Sequence, residues 1–599
     1  MKKQITWLVL SCLVVLSLVL ASCAPATPTT PTAPTTPTIP TTPTTPTTPT
    51  TPAGPEVPKY GGTVSVGLFR DTQGWDQDVQ PTNVIGPGIT NEGLFTGDLA
   101  KGKGGTGEYD FEKYTFLLDY YTGCVAESFQ IPDANTIIYK IRPGIHWALD
   151  PKNEAGRLMN GRELTAADVA FNFKRVLGDP TTYLGRSAAG WLQSVEATDK
   201  YTVVVHGNDA ELTRTARVFE DISTNLRMYP PEVIQKYGHM RDWRNSVGTG
   251  PFYLTDWVSG SSMSFKRNPN YWMTDPVGPG KGNQLPYLDS VKLLYIPDWS
   301  TRMAALRTGK VDWIMEVPQD DAQLLIKDRP QIKWISGFTE GDYIAGRLDR
   351  DLPFKDVRVR RAMMMAVDQQ AIIDGLYGGE GEMIWYPTAS AFPNLYVPLA
   401  QLPASSQELY KYNPEKAKQL LAEAGYPNGF KTEVLVFSDP LAIDKVSIYK
   451  EYLAKVGIDM EIKAQDRAIW NSQRTGKTFN AMIYATPTFN NPFKVTHAEP
   501  GNSVNAIGAD DPIINAANGA IWAFGNIGNE VERARLVKER AVRIIDQAYF
   551  LTFPAYKLYV VWWPWIKNYH GEVFPRGTNW FAWQYFVWLD QDLKKAMGY

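Results

Sequence analysis

The sequence predicts an α/β protein with interleaved strands and helices, and three observations predict it. Runs of β-branched and aromatic residues alternate with amphipathic helical segments along the body of the chain. No internal repeat recurs, and no second low-complexity linker follows residue 58. At 599 residues, 44% hydrophobic and 21% charged, the chain carries enough apolar content for a large core. The body is therefore expected to be lobes woven together, not beads in series.

Residues 1–22 read as an export signal. Lys2 and Lys3 supply a positive start, Ile5 to Leu20 is almost wholly apolar, and small residues at 21 and 22 suit a peptidase cleft. The apolar run is shorter than the ~20 residues of a spanning helix. Leu20-Ala21-Ser22-Cys23 resembles a bacterial lipobox, with Cys23 as the lipidated residue. Residues 23–58 read as an extended tether. From Thr27 to Pro52 every residue is Thr or Pro except Ala33 and Ile39, and proline recurs at every third position. Polyproline II has three residues per turn, so this period stacks the prolines on one face and builds a stiff spacer without a core.

In the body, Tyr60 to Leu68 alternates as a first strand, and Thr136 to Ile141 is a second run ended by Pro143-Gly144. Thr165-Ala166-Ala167-Asp168 opens a helix as a capping box, with Val169, Phe173 and Leu177 on one face. One helix is expected from about Val357 to Tyr377. Asn413-Pro414-Glu415 opens another, with Ala417, Leu420, Leu421 and Ala424 buried and Gly425 as its stop.

The chemical inventory points away from catalysis. The five histidines are scattered and no pair has metal-ligand spacing, so no cofactor is expected. Arg474-Thr475-Gly476-Lys477-Thr478 lacks the upstream glycine of a phosphate loop, because position 471 is Asn. There is no Gly-x-Ser-x-Gly elbow and no His-Glu-x-x-His. A net charge of −3 argues against a nucleic-acid partner. After export only Cys124 remains as a free thiol, which excludes an intramolecular disulfide; it reads as a buried small residue in preference to a catalytic thiol.

An ordered set of motifs resembles the solute-binding proteins of bacterial ABC importers, in the large oligopeptide- and dipeptide-binding family, family 5. The set includes Gly61-Gly62-Thr63, Asn91-Glu92-Gly93-Leu94-Phe95, Ala126-Glu127-Ser128 and Leu164 to Val169. Its most specific pair is Gly248-Thr249-Gly250-Pro251-Phe252 with Arg267-Asn268-Pro269-Asn270-Tyr271-Trp272. Gly309-Lys310-Val311-Asp312, Asp356 to Arg360, Ala366-Val367-Asp368 and Ala417 to Tyr426 follow in order. These motifs read as structural; Gly248 and Gly250 are expected to serve a tight turn and the Arg-Asn-Pro run to close another. The resemblance implies a two-lobed, type II periplasmic-binding-protein fold with an extra subdomain on lobe one. Lobe one would take 59–341, with the subdomain at about 71–215, lobe two 342–558, and 559–599 would return to lobe one. Hinges would lie near Tyr343 and Tyr556.

It also implies a monomeric carrier, not an enzyme. The carrier would be exported, lipid-anchored on the outer side of the cytoplasmic membrane, and would deliver solute to ABC permease transmembrane subunits. Peptide binders of the family commonly set an Asp against the ligand's α-amino group, in a segment matched here by Tyr484-Ala485-Thr486-Pro487-Thr488-Phe489. Thr486 stands at the Asp position, and a threonine cannot neutralise an ammonium. With 19 Trp in the chain, an oligosaccharide-binding member is the alternative, using Trp75, Trp191, Trp385 and Trp470 as stacking platforms. Peptide is favoured over oligosaccharide. A surface-tethered hydrolase is the reading outside the binding class.

Overall fold

The computed structural model describes residues 56–72, 74–76, 85–108, 121–180, 182, 184–185, 191–208, 226–339, 341–486, 492–493, 505–526, 528–571 and 585–599. The export signal, Cys23 and the tether up to residue 55 lie outside them, as does Phe489.

Three sheets organise the body. The first runs Lys333–Phe338, Ala555–Trp562, Trp313–Pro318, Thr63–Leu68, Ser290–Tyr295, Ser262–Arg267, Phe252–Val258. Thr63–Leu68 is parallel to both of its neighbours, and Val64, Val66 and Leu68 are all buried. Covered parallel strands read as near-continuous apolar runs for this reason. Trp563 and Trp565 stack at 4.7 Å in this core. Beside them Asp312 is fully buried, accepting from Ser65 N at 2.8 Å, Trp565 Nε1 at 2.8 Å and Lys594 Nζ at 2.6 Å.

The second sheet runs Ile458–Gln465, Phe430–Phe437, Met482–Ala485, Tyr343–Gly346, Leu551–Thr552. Its first three strands are mutually parallel and the last two pairings are antiparallel. The third sheet is antiparallel: Ala126–Asp133, Thr136–Ile141, Thr202–Gly207, Leu192–Asp199. Helix Ala166–Leu177 packs with it through Val169, Phe173 and Leu177, and begins in the expected capping box, where Asp168 accepts from Thr165 N at 2.8 Å.

The chain passes between the first and second sheets around residues 339 and 341–342 and again through 553–554. The two passages are bonded to each other, Thr339 N to Tyr556 O at 2.8 Å and Phe553 N to Asp342 O at 2.8 Å.

One local expectation is corrected and another gains a cause. The helix expected over Val357 to Tyr377 is two helices, Val357–Met365 and Gln369–Leu376. Asp368 breaks it by accepting from Ala371 N at 2.9 Å, which caps a new N-terminus. Gly248 and Gly250 flank a bend of the chain, and neither has positive φ; close approach of other backbone is what excludes a side chain there. A Cβ on Gly248 would stand 1.9 Å from the Thr90 carbonyl oxygen, and one on Gly250 2.7 Å from that of Ile89. The Arg-Asn-Pro run does close a turn, Tyr271 N to Asn268 O. Buried Asn268 also donates to Gly250 O at 2.9 Å, so the two most specific motifs are one structural unit.

Candidate functional site

Strand direction brings one edge of each sheet together. In the second sheet the C-terminal ends of the parallel strands, Phe437, Gln465 and Ala485, lie in one row with Tyr343 and Thr552. In the first sheet Leu68, Tyr295, Pro318 and Phe338 end at the side where Ala555 enters. Only residues 553–554 separate Thr552 from Ala555, and three extended steps span at most about 11 Å. The carboxyl ends of both sets of parallel strands therefore meet at the passages, the place where open α/β sheets bind ligands.

A charged and aromatic cluster occupies this junction. Asp342 Oδ2 and Lys445 Nζ are 2.6 Å apart, with side chains 8% and 10% exposed. Burial alone would push the Lys445 ammonium down, but Asp342 and the rings of Tyr556 and Tyr377 outweigh it and its affinity for a proton ends above the ordinary value. Lys445 Nζ lies 4.9 Å from the centre of the Tyr556 ring, which in turn stacks on Tyr377 at 5.2 Å. The Tyr484 hydroxyl is pushed far up by burial, then by Asp342, and so stays protonated. Two helices begin at the same edge, Pro440–Ala454 and Arg467–Thr475. Asp439 and Asp466 cap them, accepting from Ala442 N at 3.0 Å and Ala468 N at 2.8 Å.

The structure distributes the residues singled out from sequence unevenly. Trp385 sits on the passages, its Nε1 donating to Phe553 O at 2.7 Å and its indole covering Gly341. Trp470 donates to Tyr484 O at 3.2 Å. Tyr484 and Ala485 are buried at the end of their strand, with Thr486 half-buried just beyond. Tyr343 lies inside the second sheet and Tyr556 at the start of the first-sheet strand. Trp75 and Trp191 are not brought into this group. Both are 1% exposed, one edge-on to Trp257 and closed against Gly86, the other against Gly207 in the third-sheet core. Cys124 is buried as expected, and its thiol donates to buried Glu92. Burial and Glu92 push that thiol well up, which keeps it protonated and unreactive.

Sequence reasoning missed Asp342, Lys445 and Tyr377. Lys445 had a legible signal: it falls on the buried face of its helix among Ala442, Val446 and Tyr449, where a lysine needs a partner.

Comparison with known proteins settles the family. Residues 121–499, more than half the chain, match the model of bacterial extracellular solute-binding proteins, family 5 Middle. The chain belongs to this family. It is 27% identical over 475 residues to heme-binding protein A of Haemophilus influenzae, covering 73% of this chain and 80% of that protein. It is 29% identical over 358 residues to glutathione-binding protein GsiB of Escherichia coli, covering 59% and 63%. Among solved structures, the periplasmic binding protein DppA of Helicobacter pylori, in complex with the peptide STSA, superposes with a TM-score of 0.67. That match covers 89% of this chain and 99% of DppA at 19% identity. The fold of this family 5 protein is the type II periplasmic-binding-protein fold. Among the described residues no helix is long and apolar enough to cross a membrane, and no group of His, Cys, Asp and Glu is placed to hold a metal.

Proposed function

We propose that this chain is the lipid-anchored solute receptor of an ABC-type importer and that its solute is a peptide. The observation that carries the reading is the junction itself. Two short passages join the ligand-binding edges of two sheets, in a chain of a solute-binding family. Residues 59–341 with 559–599 would form one lobe, with an added subdomain at about 71–215, and 342–558 the other. Solute enters between open lobes, and closure is driven by its greater affinity for the closed form. The closed form docks on the permease, and Cys23 with its tether keeps the receptor near it. Peptide is favoured over oligosaccharide because the tryptophans that would stack on sugars are buried at 1–4% exposure. Trp385 and Trp470 also have their Nε1 groups committed to backbone. GsiB, named for glutathione, and DppA, solved in complex with the peptide STSA, point the same way.

The test is native mass spectrometry of the exported, purified full chain. A bound mass that fragments into amino acids is the expected result. Hexose-spaced masses, or release of a chemically altered product, would overturn it.

A further inference from the structure

An ion pair crosses the boundary between the first sheet and the second-sheet body. Tyr556 and Lys557 are neighbours in the strand Ala555–Trp562, yet their backbones have different partners. Lys557 is paired with Phe338 in the first sheet, whereas Tyr556 is paired with Gly381, which follows helix Gln369–Leu376 of the second-sheet body. The Lys557 ammonium lies 5.5 Å from the centre of the Phe338 ring, which holds it on the first-sheet side. Glu380 stands in the turn over 377–381. Its amide donates to Tyr377 O at 2.9 Å, Gly379 N donates to Ile373 O at 3.1 Å, and the Tyr377 ring stacks on Tyr556 at 5.2 Å. Gly378 and Gly379 both have positive φ, which the tight turn requires. Across the boundary, Glu380 Oε2 and Lys557 Nζ are 2.9 Å apart. Beside them a Cβ on Gly378 would stand 3.7 Å from Gln319 Nε2, at the start of helix Gln319–Asp328 on the first-sheet side.

Among the described residues neither Glu380 nor Lys557 makes another ion pair, and both side chains are partly open to water, at 42% and 28% exposure. A pair so placed adds little to folding stability, because solvent screens it and two long side chains must be ordered to make it. Its position gives it another use. Closure of two lobes concentrates dihedral change in a few residues between rigid bodies. Here the cation travels with one body and the carboxylate with the other. An ion pair holds only to about 4 Å, so a shift of about 1 Å between the bodies parts it. Such a contact is weak enough for a solute to overcome and strong enough to bias two lobe arrangements against each other.

We propose that Glu380 and Lys557 are positioning residues for lobe closure: their ion pair latches the lobe arrangement described here and so sets the apparent affinity for solute from outside the cleft. The inference goes beyond the receptor reading and rests on it in one respect, that the two lobes move relative to each other.

The experiment places one spin label on each sheet of the full exported chain and reads the distance between them by pulsed dipolar spectroscopy. The labels go on through Lys266→Cys and Lys431→Cys. Both are exposed strand positions, paired with Ser290 and Asp459 at the ends of their sheets away from the passages, and Cys124 is buried. After unfolding and refolding to strip bound solute, the unlatched and latched arrangements should appear as two distances at low salt. Glu380→Gln and Lys557→Gln should each lower the latched-to-unlatched ratio about two- to five-fold without changing the unfolding temperature. High salt should do the same to the parent chain and leave both variants unchanged. The reversed pair, Glu380→Lys with Lys557→Glu, should restore most of the ratio, which a merely structural role for either residue does not allow. The apparent affinity for a mixed tripeptide pool, followed by tryptophan fluorescence, should shift by the same factor. A single distance in every sample, a ratio indifferent to salt and substitution, a reversed pair that behaves like the single variants, or an affinity unchanged where the ratio shifts would each overturn the latch. Should a variant misfold, the salt series on the parent chain decides. The receptor reading fails separately: a parent chain whose distances answer to salt and substitution but that binds nothing in the pool counts against the peptide and leaves the latch standing.

Discussion

Replacing Lys445 by methionine removes one half of a buried ion pair at the passage between the sheets. The methionine preserves the apolar stem, so the loss isolates the charge. Asp342 Oδ2 then loses its partner at 2.6 Å. Leaving one charge of a buried pair uncompensated costs about 3–5 kcal/mol. The expected destabilisation is therefore about 3–5 kcal/mol. Urea unfolding followed by tryptophan fluorescence measures it. The double variant Asp342→Asn with Lys445→Met should recover at least half the loss. A double variant whose loss equals the sum of the singles would refute the assignment of a coupled buried pair.

Two further predictions concern fold and pH. Gly248→Ala must move backbone, since its Cβ would meet the Thr90 carbonyl at 1.9 Å, so a loss above about 3 kcal/mol or failure to fold is expected. Gly519→Ala meets nothing within 4 Å inside helix Pro512–Ile521 and should gain about 0.5–1 kcal/mol, both read from urea midpoints. Glu163 is pulled from 4.5 to about 2, first by Lys200, then by the Gly144 N–H. A lowered carboxylate stabilises above its unfolded value and loses that contribution as pH falls from about 4.5 to about 2. Glu163→Gln should therefore cost about 1 kcal/mol at pH 7, discounted for its exposed lysine partner, and clearly less at pH 3. An equal deficit at both pH values would contradict it.

Elements fixed by local chemistry were legible in the sequence. The capping box at Thr165, the Asn413–Pro414 helix start and the positive φ of Gly425 follow from residue type alone. The break at Asp368 was missed because the apolar pattern continues across it, although an aspartate that accepts from the amide three residues on is itself a local helix-start signal. The glycines at 248 and 250 were legible as constraints but not as to cause, since the carbonyls they avoid come from residues 89 and 90. Site residues were the least legible part. Tryptophan content cannot separate an indole on the passages, such as Trp385, from one in the third-sheet core, such as Trp191. Asp342 and Lys445 are about a hundred residues apart, and only the fold turns two unremarkable charges into a pair.

The contacts around that pair also locate the bending points more closely than the passages themselves do. Ala555 and Tyr556 begin a first-sheet strand, yet they pair with Gly381–Glu382, and the Tyr556 ring rests on Tyr377 and Lys445. Thr339 N is bonded to Tyr556 O, so Thr339 moves with it. One residue further on, Lys557 pairs with Phe338 and Leu558 with Gly337 and Pro318, all in the first sheet. If the lobes close as proposed, the dihedral changes should concentrate between Phe338 and Thr339 and between Tyr556 and Lys557. Tyr343, held inside the second sheet by Ala485 and Thr552, should stay rigid. Hydrogen exchange of the full chain with and without its solute reads this directly. Peptides spanning 338–339 and 556–557 should change protection on binding, and a peptide confined to 343–346 should not. A change at 343–346 with none at 556–557 would move the hinge into the second sheet and require Lys445 to part from Tyr556 on closure.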